Sequence, residues 1–260
     1  MAPSPTSPAN GPVASPRRPA RPVPSDRVRD EWLRRVQAEY RSAAITHHLV
    51  LWLIQIGASP DLLDAGLRIV KDELVHARMS HRVYTAAGGE DVPALAQEAL
   101  GLRRPEHEPL WQSITRAGVE IFCLGETVAV PLFKVLRDGC TQPSARRALD
   151  RILRDEVRHR DFGWTLLDWL SSLPVKEAVH ACIRSELPRM LVRLRKSYAP
   201  PEGARRTTLP AEDRLWGLMP PARYAEILAR TVERDYVPRF AAHGIDARAA
   251  WEASAAGKGG

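Results

Sequence analysis

Two short segments carry the residues best suited to chemistry, Lys71-Asp72-Glu73-Leu74-Val75-His76 and Arg154-Asp155-Glu156-Val157-Arg158-His159. Each reads base-Asp-Glu-x-x-His. On a helix, positions i and i+3 lie on one face about 5–6 Å apart. Glu73 with His76, and Glu156 with His159, therefore each offer a carboxylate oxygen and an imidazole nitrogen to one metal ion. A lone Glu-x-x-His is a weak signal. A third one, Glu177-Ala178-Val179-His180, has Lys176 in place of the aspartate and no acid on an upstream helix, which assigns it to a solvated helix face.

A two-metal site between four helices needs one further carboxylate from each remaining helix. Glu126 lies upstream of Glu156, and Glu39 upstream of Glu73. Descending from Glu126 to the end of its helix covers about 21 Å, and climbing from Ser144 to Glu156 about 18 Å, so the two return to one level. Glu120 is displaced from Glu126 by about 9 Å and roughly 240°, and faces elsewhere. The fit is looser for Glu39, where about 27 Å down to Gly57 meets about 20 Å up to Glu73. Glu39 is retained because Glu31 fits worse, and because an acid among Ala38, Ala43 and Ala44 calls for a partner. Four carboxylates and two imidazoles form an oxygen-rich donor set suited to Fe(II) or Mn(II), without the thiolates of structural zinc.

Four long helices must position these residues. Ser25-Asp26 offers an N-cap, and Trp32, Val36, Ala43, Val50 and Leu53 recur at helical spacing up to Gly57. Ser59-Pro60 starts the second helix, which runs to about Tyr84 and lies antiparallel to the first across a short turn. Residues 87–108, with Gly88, Gly89, Pro93, Gly101 and Pro105, read as a long crossover holding a short helix near Ala94 to Leu100. The third helix runs from about Pro109 to Asp138 and closes at Gly139, and the fourth follows Gln142-Pro143-Ser144 to about Leu170. A fifth spans about Val175 to Tyr198 with a bend at Pro188, and another covers Pro221 to Phe240, interrupted at Pro238. No period-two strand pattern occurs, so the fold class is all-α.

At this ligand spacing the chain resembles the ferritin-like, carboxylate-bridged di-iron superfamily, whose helices contribute Glu, Glu-x-x-His, Glu and Glu-x-x-His in that order. The match spans about residues 30 to 165. The doubled Asp-Glu-x-x-His is similar to that of bacterial multicomponent monooxygenases and related oxygen-activating members. Cys123-Leu124-Gly125-Glu126-Thr127 resembles bacterial ferritin-like domain proteins of unassigned activity. The resemblance implies a ferritin-like four-helix bundle with a long crossover between helices 2 and 3, plus additional C-terminal helices. It also implies two Fe ions, or Mn or a mixed Mn/Fe pair, held by Glu39, Glu73, His76, Glu126, Glu156 and His159. Asp72 would hold His159 and Asp155 would hold His76. Arylamine N-oxygenases of this superfamily add a histidine where this chain has Ile152, a departure from that chemistry. The expected function is a di-iron oxidase or oxygenase that activates O2 to oxidise a small organic substrate, drawing on an external electron donor. The alternatives are a ferroxidase or iron-handling protein, or a non-catalytic, metal-stabilised helical binding protein.

Composition bounds the rest. At 260 residues, 44% hydrophobic and 27% charged, the chain can build a large core. Cys123, Cys140 and Cys182 leave an odd thiol, which predicts free cysteines and a cytoplasmic setting. The longest apolar run, Leu49 to Ala58, is about half the length of a membrane span, so no membrane partner is expected. Arg17, Arg18 and Arg21 supply three of the net +7, and no basic run with interleaved aromatics suggests nucleic acid. The expected organisation is a disordered Pro/Arg-rich tail (1–25), a di-metal four-helix bundle (26–171), a C-terminal helical extension (172–245) and a flexible tail (246–260). Cys123 reads as a small buried thiol, Tyr40 and Tyr84 as packing or surface residues, and His47 and His48 as lacking convincing partners.

Overall fold

Glycines and prolines set where the helices stop and start. The computed structural model describes residues 24–198 and 208–256, and among them every regular element is helical. Helix α1 (Asp26–Gln55) buries Val28, Trp32, Val36, Leu49 and Leu53 along one stripe. It ends where Gly57, at φ 73°, turns the chain. Pro60 opens α2 (Pro60–Ala86), and the Ser59 hydroxyl accepts the Leu62 N–H at 3.4 Å. Ser25 caps α1 differently from expectation. Its hydroxyl donates to Asp213 at 2.8 Å rather than serving the helix end.

The crossover holds only a 3-10 turn, Gln97–Ala99, and is pinned by side chains of α1 and α2. The Leu102 N–H donates to His48 Nδ1 at 3.1 Å, and the Tyr84 hydroxyl donates to Asp91 at 3.0 Å. His48 thus has a partner after all, and its ring also meets Trp52 edge-on with centroids 4.8 Å apart. Helix α3 (110–139) opens as Leu110–Ala117, with Glu108 bonded to Ser113 and Arg116 ahead of it. It widens into a π stretch, Gly118–Glu126, and continues as Thr127–Gly139. Helix α4 (Pro143–Ser172) follows a short corner.

Helix α1 packs on α2, α2 on α4, α4 on α3 and α3 back on α1. Helix α5 (Lys176–Tyr198) runs on through Pro188 and lies against α3 and α4. Next come α6 (Ala211–Leu215) and α7, which covers 221–241 as Pro221–Thr231, a π turn Val232–Tyr236, and Val237–Ala241. The expected interruption at Pro238 is absent. The π turn just before it rearranges the carbonyls that a proline, lacking an N–H, would leave unbonded.

The expected flexible tail is corrected as well. Residues 247–256 form α8 (Ala247–Ala256), held where Arg195 on α5 donates to the Trp251 carbonyl at 3.0 Å and to the Ser254 hydroxyl at 2.8 Å. The expected disordered segment lies outside the described residues up to position 23.

A strap at 213–219 ties distant elements together. The Leu215 carbonyl accepts the N–H groups of Thr141 and Gln142 at 3.0 and 2.9 Å. The Trp32 indole donates to the Trp216 carbonyl at 3.0 Å, and Arg35 to the Gly217 carbonyl at 3.1 Å. One apolar cluster includes Trp32, Phe122, Leu149, Leu187, Tyr236 and Phe240. No helix among the described residues is long and apolar enough to cross a membrane, and Cys123, Cys140 and Cys182 are all free thiols.

Candidate metal centre

The i, i+3 spacing places Glu73 and His76 of α2 on one buried face, and Glu156 and His159 of α4 on the face opposite. Glu39 reaches the same space from α1, and the partly buried Glu126 reaches it from α3. All six sequence-selected acids and histidines meet in one cluster.

The two imidazoles stand 5.7 Å apart between ring centroids and turn their Nδ1 atoms to the same carboxylates. His76 Nδ1 lies 3.3 Å from Glu73, 3.6 Å from Glu39 and 4.0 Å from Glu156. His159 Nδ1 lies 3.5 Å from both Glu73 and Glu156. Glu73 and Glu156 thus each turn one oxygen to each histidine. Glu39 sits on the His76 side, and Glu126 groups with Glu73 and His159 within 4.8 Å.

The π stretch explains Glu126 and Glu120 together. Glu126 ends that stretch facing the cluster, whereas Glu120 points out to Arg193 of α5, with Nη2 at 2.8 Å. The Leu124 carbonyl, in the same stretch, accepts the Tyr236 hydroxyl at 2.6 Å. Behind it the Cys123 thiol is buried and donates to the Gly163 carbonyl at 3.2 Å.

Charges at this density rearrange protons. Burial, and then the neighbouring Glu73, push the Glu39 carboxyl well above its usual range. Burial, and then Glu156, do the same for Glu126. Burial also works against Glu73, but the adjacent His76 and Glu39 side chains outweigh it and hold that group at about 2. Burial opposes charge on both imidazoles. Even so, Asp155 and Glu39 raise His76 far above its ordinary value, and Glu156 and Asp72 lift His159 to about 10. These shifts, upward for Glu39, Glu126 and both imidazoles, all act to lessen the negative charge of the pocket.

A ring of charge surrounds the cluster. His76 Nε2 donates to Asp155 at 3.1 Å, while His159 Nε2 lies 3.6 Å from Asp72, beyond a normal hydrogen bond. Two arginines clamp both aspartates. Arg158 Nη2 donates to Asp72 at 2.8 Å and Asp155 at 2.7 Å, and Arg151 bonds to Asp155 and, at 3.1 Å, to Asp72. Burial raises Asp72, but His159 and Arg158 overcome it and hold the carboxyl at about 2. Sequence reading passed over these arginines, although their positions four before and three after Asp155 are where a helix brings side chains together.

Whether the pocket suits metal ions can be judged from its unpaired atoms. Glu73 Oε2, Glu156 Oε2, His76 Nδ1 and His159 Nδ1 are fully buried and have no hydrogen-bond partner. Each such atom costs about 1–3 kcal/mol when left unsatisfied. Here all four point at one another across a space rimmed by oxygen and imidazole donors, and divalent cations would satisfy them together. Compared with known proteins, the sequence matches no family model and no curated protein.

Proposed function

We propose that the chain is a ferritin-like di-metal oxidoreductase of the oxidase or oxygenase type, with Glu39, Glu73, His76, Glu126, Glu156 and His159 as ligands. The observation that carries this reading is the pair Glu73 and Glu156. Each is buried and turned toward both imidazoles, so both would serve as ligands to metal held between α2 and α4. Two iron ions, or a manganese and an iron, would supply two-electron reduction of O2 coupled to oxidation of a small organic substrate, with reductant from an external donor. Asp155 keeps a proton on His76 Nε2, so it is Nδ1, on the inward side, that would give up its proton to hold a metal ion. Asp72 faces His159 in the same sense, and Arg151 and Arg158 fix both aspartates from behind.

A cleft of about 480 Å3 at the C-terminal end of α5 offers the substrate a place. It is lined by Arg27, Arg34, Tyr198, Leu218, Met219 and Tyr224. The Tyr198 hydroxyl is pushed up by burial and then by the Glu126 and Glu156 carboxylates, so it lies within their field.

The test is anaerobic loading with Fe(II) or Mn(II), counting metal per chain, followed by O2 uptake with and without a substrate panel. About two ions are expected, with Glu73→Ala and Glu156→Ala each losing most of them. Substrate-dependent O2 uptake with product supports the oxygenase reading. Repeated Fe(II) oxidation without organic product supports iron handling, and bound metal inert to O2 supports a structural role. Two ions retained in both alanine variants would refute the ligand set.

A further inference from the structure

Many polar groups outside the metal cluster are satisfied within the chain. His180, expected on a solvated face, is instead buried, and its Nε2 and the Nδ1 of His243 share the Ser171 hydroxyl at 3.0 and 3.3 Å. Arg78 and Arg82 of α2 are different. Both are exposed, and among the described residues neither has a hydrogen-bond or ion-pair partner. Standing at i, i+4 on one helix face, the two guanidiniums repel each other, which destabilises the helix unless an anion lies between them.

Both arginines line a cleft of about 530 Å3 between α1, α2 and the crossover. Val36 and Ala77, each 1% exposed, form its apolar base, and Tyr40 joins them from α1. The crossover contributes a wall with Val92 and Leu95. That wall is tied to both helices. The Tyr84 hydroxyl of α2 accepts the Asp91 N–H at 3.0 Å, and Gln37 of α1 donates to the Ala94 carbonyl at 3.2 Å. The cleft is thus formed before any occupant arrives, and none of its lining residues is acidic.

We propose that this cleft binds one small organic anion, a phosphate or carboxylate head on a compact apolar body. Arg78 and Arg82 take the head, because the guanidinium fork matches the paired oxygens of either group. His81, in the same lining, adds an imidazole N–H. The Val36 and Ala77 base and the crossover wall take the body. The cleft shares no lining residue with the one beside Tyr198. Ala77 and Val36 lie within about 5 Å of His76 and Glu39 along their helices, so the occupant rests against the outer side of the α1–α2 pair. Its charge offsets the repulsion between the two arginines and stabilises that pair.

The experiment is titration calorimetry on the full chain, stripped of metal so that the result is independent of the four-helix centre. Phenyl phosphate and phenylacetate are the probes, and inorganic phosphate is the head without a body. At least one organic anion is expected to bind at about one per chain with a Kd below about 1 mM, and inorganic phosphate about tenfold more weakly. The tighter of the two probes names the head. Arg78→Gln and Arg82→Gln, at exposed and unpaired positions, are each expected to weaken binding about tenfold and to lose the ligand-dependent rise in melting temperature. Arg147→Gln, exposed on α4 and outside the cleft, is expected to bind as wild type does. No saturation with either probe overturns the proposal, as does an unchanged Kd in both cleft variants. An equal loss in Arg147→Gln also overturns it, since binding would then follow overall charge, and so does inorganic phosphate binding as tightly as the organic anions.

Discussion

Replacing Gly163 with alanine would press α4 against the π stretch of α3. A Cβ at this position would lie 2.6 Å from the Phe122 carbonyl carbon and Cβ, and 2.9 Å from the Cys123 nitrogen. Carbon atoms pack at about 3.5–4.0 Å, so the helices must part by about 1 Å, and no rotamer change relieves a clash with backbone. Overpacking of this kind costs about 1–3 kcal/mol, against which glycine-to-alanine in a helix returns about 1 kcal/mol. A net loss of about 1 kcal/mol, and at most about 2, lowers the melting temperature by about 2–8 °C at this size. The larger effect falls on the metal cluster. Glu126 is on α3, Glu156 and His159 on α4, and metal-ligand distances tolerate only about 0.2 Å. Metal affinity should therefore fall by about tenfold or more, measured by chelator competition alongside calorimetry. Gly125→Ala is the control. Its Cβ would meet the Glu120 carbonyl oxygen at an ordinary 3.6 Å, so stability should change by less than about 1 kcal/mol. A Gly163→Ala protein with wild-type melting temperature and metal affinity would refute the claim that this close approach sets the ligand geometry.

Metal loading at pH 7 should release protons, because His76 and His159 both bind theirs above that pH and must lose them at Nδ1 to ligate. Titration calorimetry in buffers of different ionisation enthalpy should report about two protons or more, with affinity rising as pH rises; no release would contradict the charge state derived above. Asp155→Asn, which weakens the support of His76 and the arginine clamp, should reduce metal affinity about 10–100-fold while the helical circular dichroism stays intact. Glu108 is held below its usual range chiefly by Arg116. Its contribution is present above the unfolded pKa of about 4.3 and is lost as pH falls through the lower folded value. Glu108→Gln should cost about 1 kcal/mol at pH 7 in urea unfolding and flatten the acid limb of the stability profile.

Much of this arrangement is written locally. Gly57, Ser59-Pro60, Gly139 and Pro143 mark the corners of the four long helices within a residue or two. The i, i+3 pairs lie on inward faces because helix period alone decides that. Glu39 stood about one turn out of level with Glu73, and the structure shows why it still fits. It approaches His76, which lies one turn further along α2. The π stretch was not legible, since its widened turn depends on what α3 packs against and no residue in 118–126 announces it. The tail helix was misread for another reason. Residues 247–256 are rich in alanine, a strong helix former, but they lie between glycines that suggest a loose end. The burial of His180 was out of reach, because it is imposed by a turn of the chain more than sixty residues later.

The strap at 213–219 also sets an order of events during synthesis. The Trp32 indole and the Arg35 guanidinium find their carbonyl partners only after another 184 and 182 residues have been added. At about 5–20 residues per second, the N-terminal half of α1 waits roughly 10–40 s on the ribosome with its largest apolar side chain uncovered. Only after His159 has been added, late in that interval, can the proposed ligands on α1 to α4 assemble, and the first turns of α1 still lack the strap at that point. The start of α1 should thus be covered late, when the strap emerges and closes over Trp32, ahead only of α7 and α8.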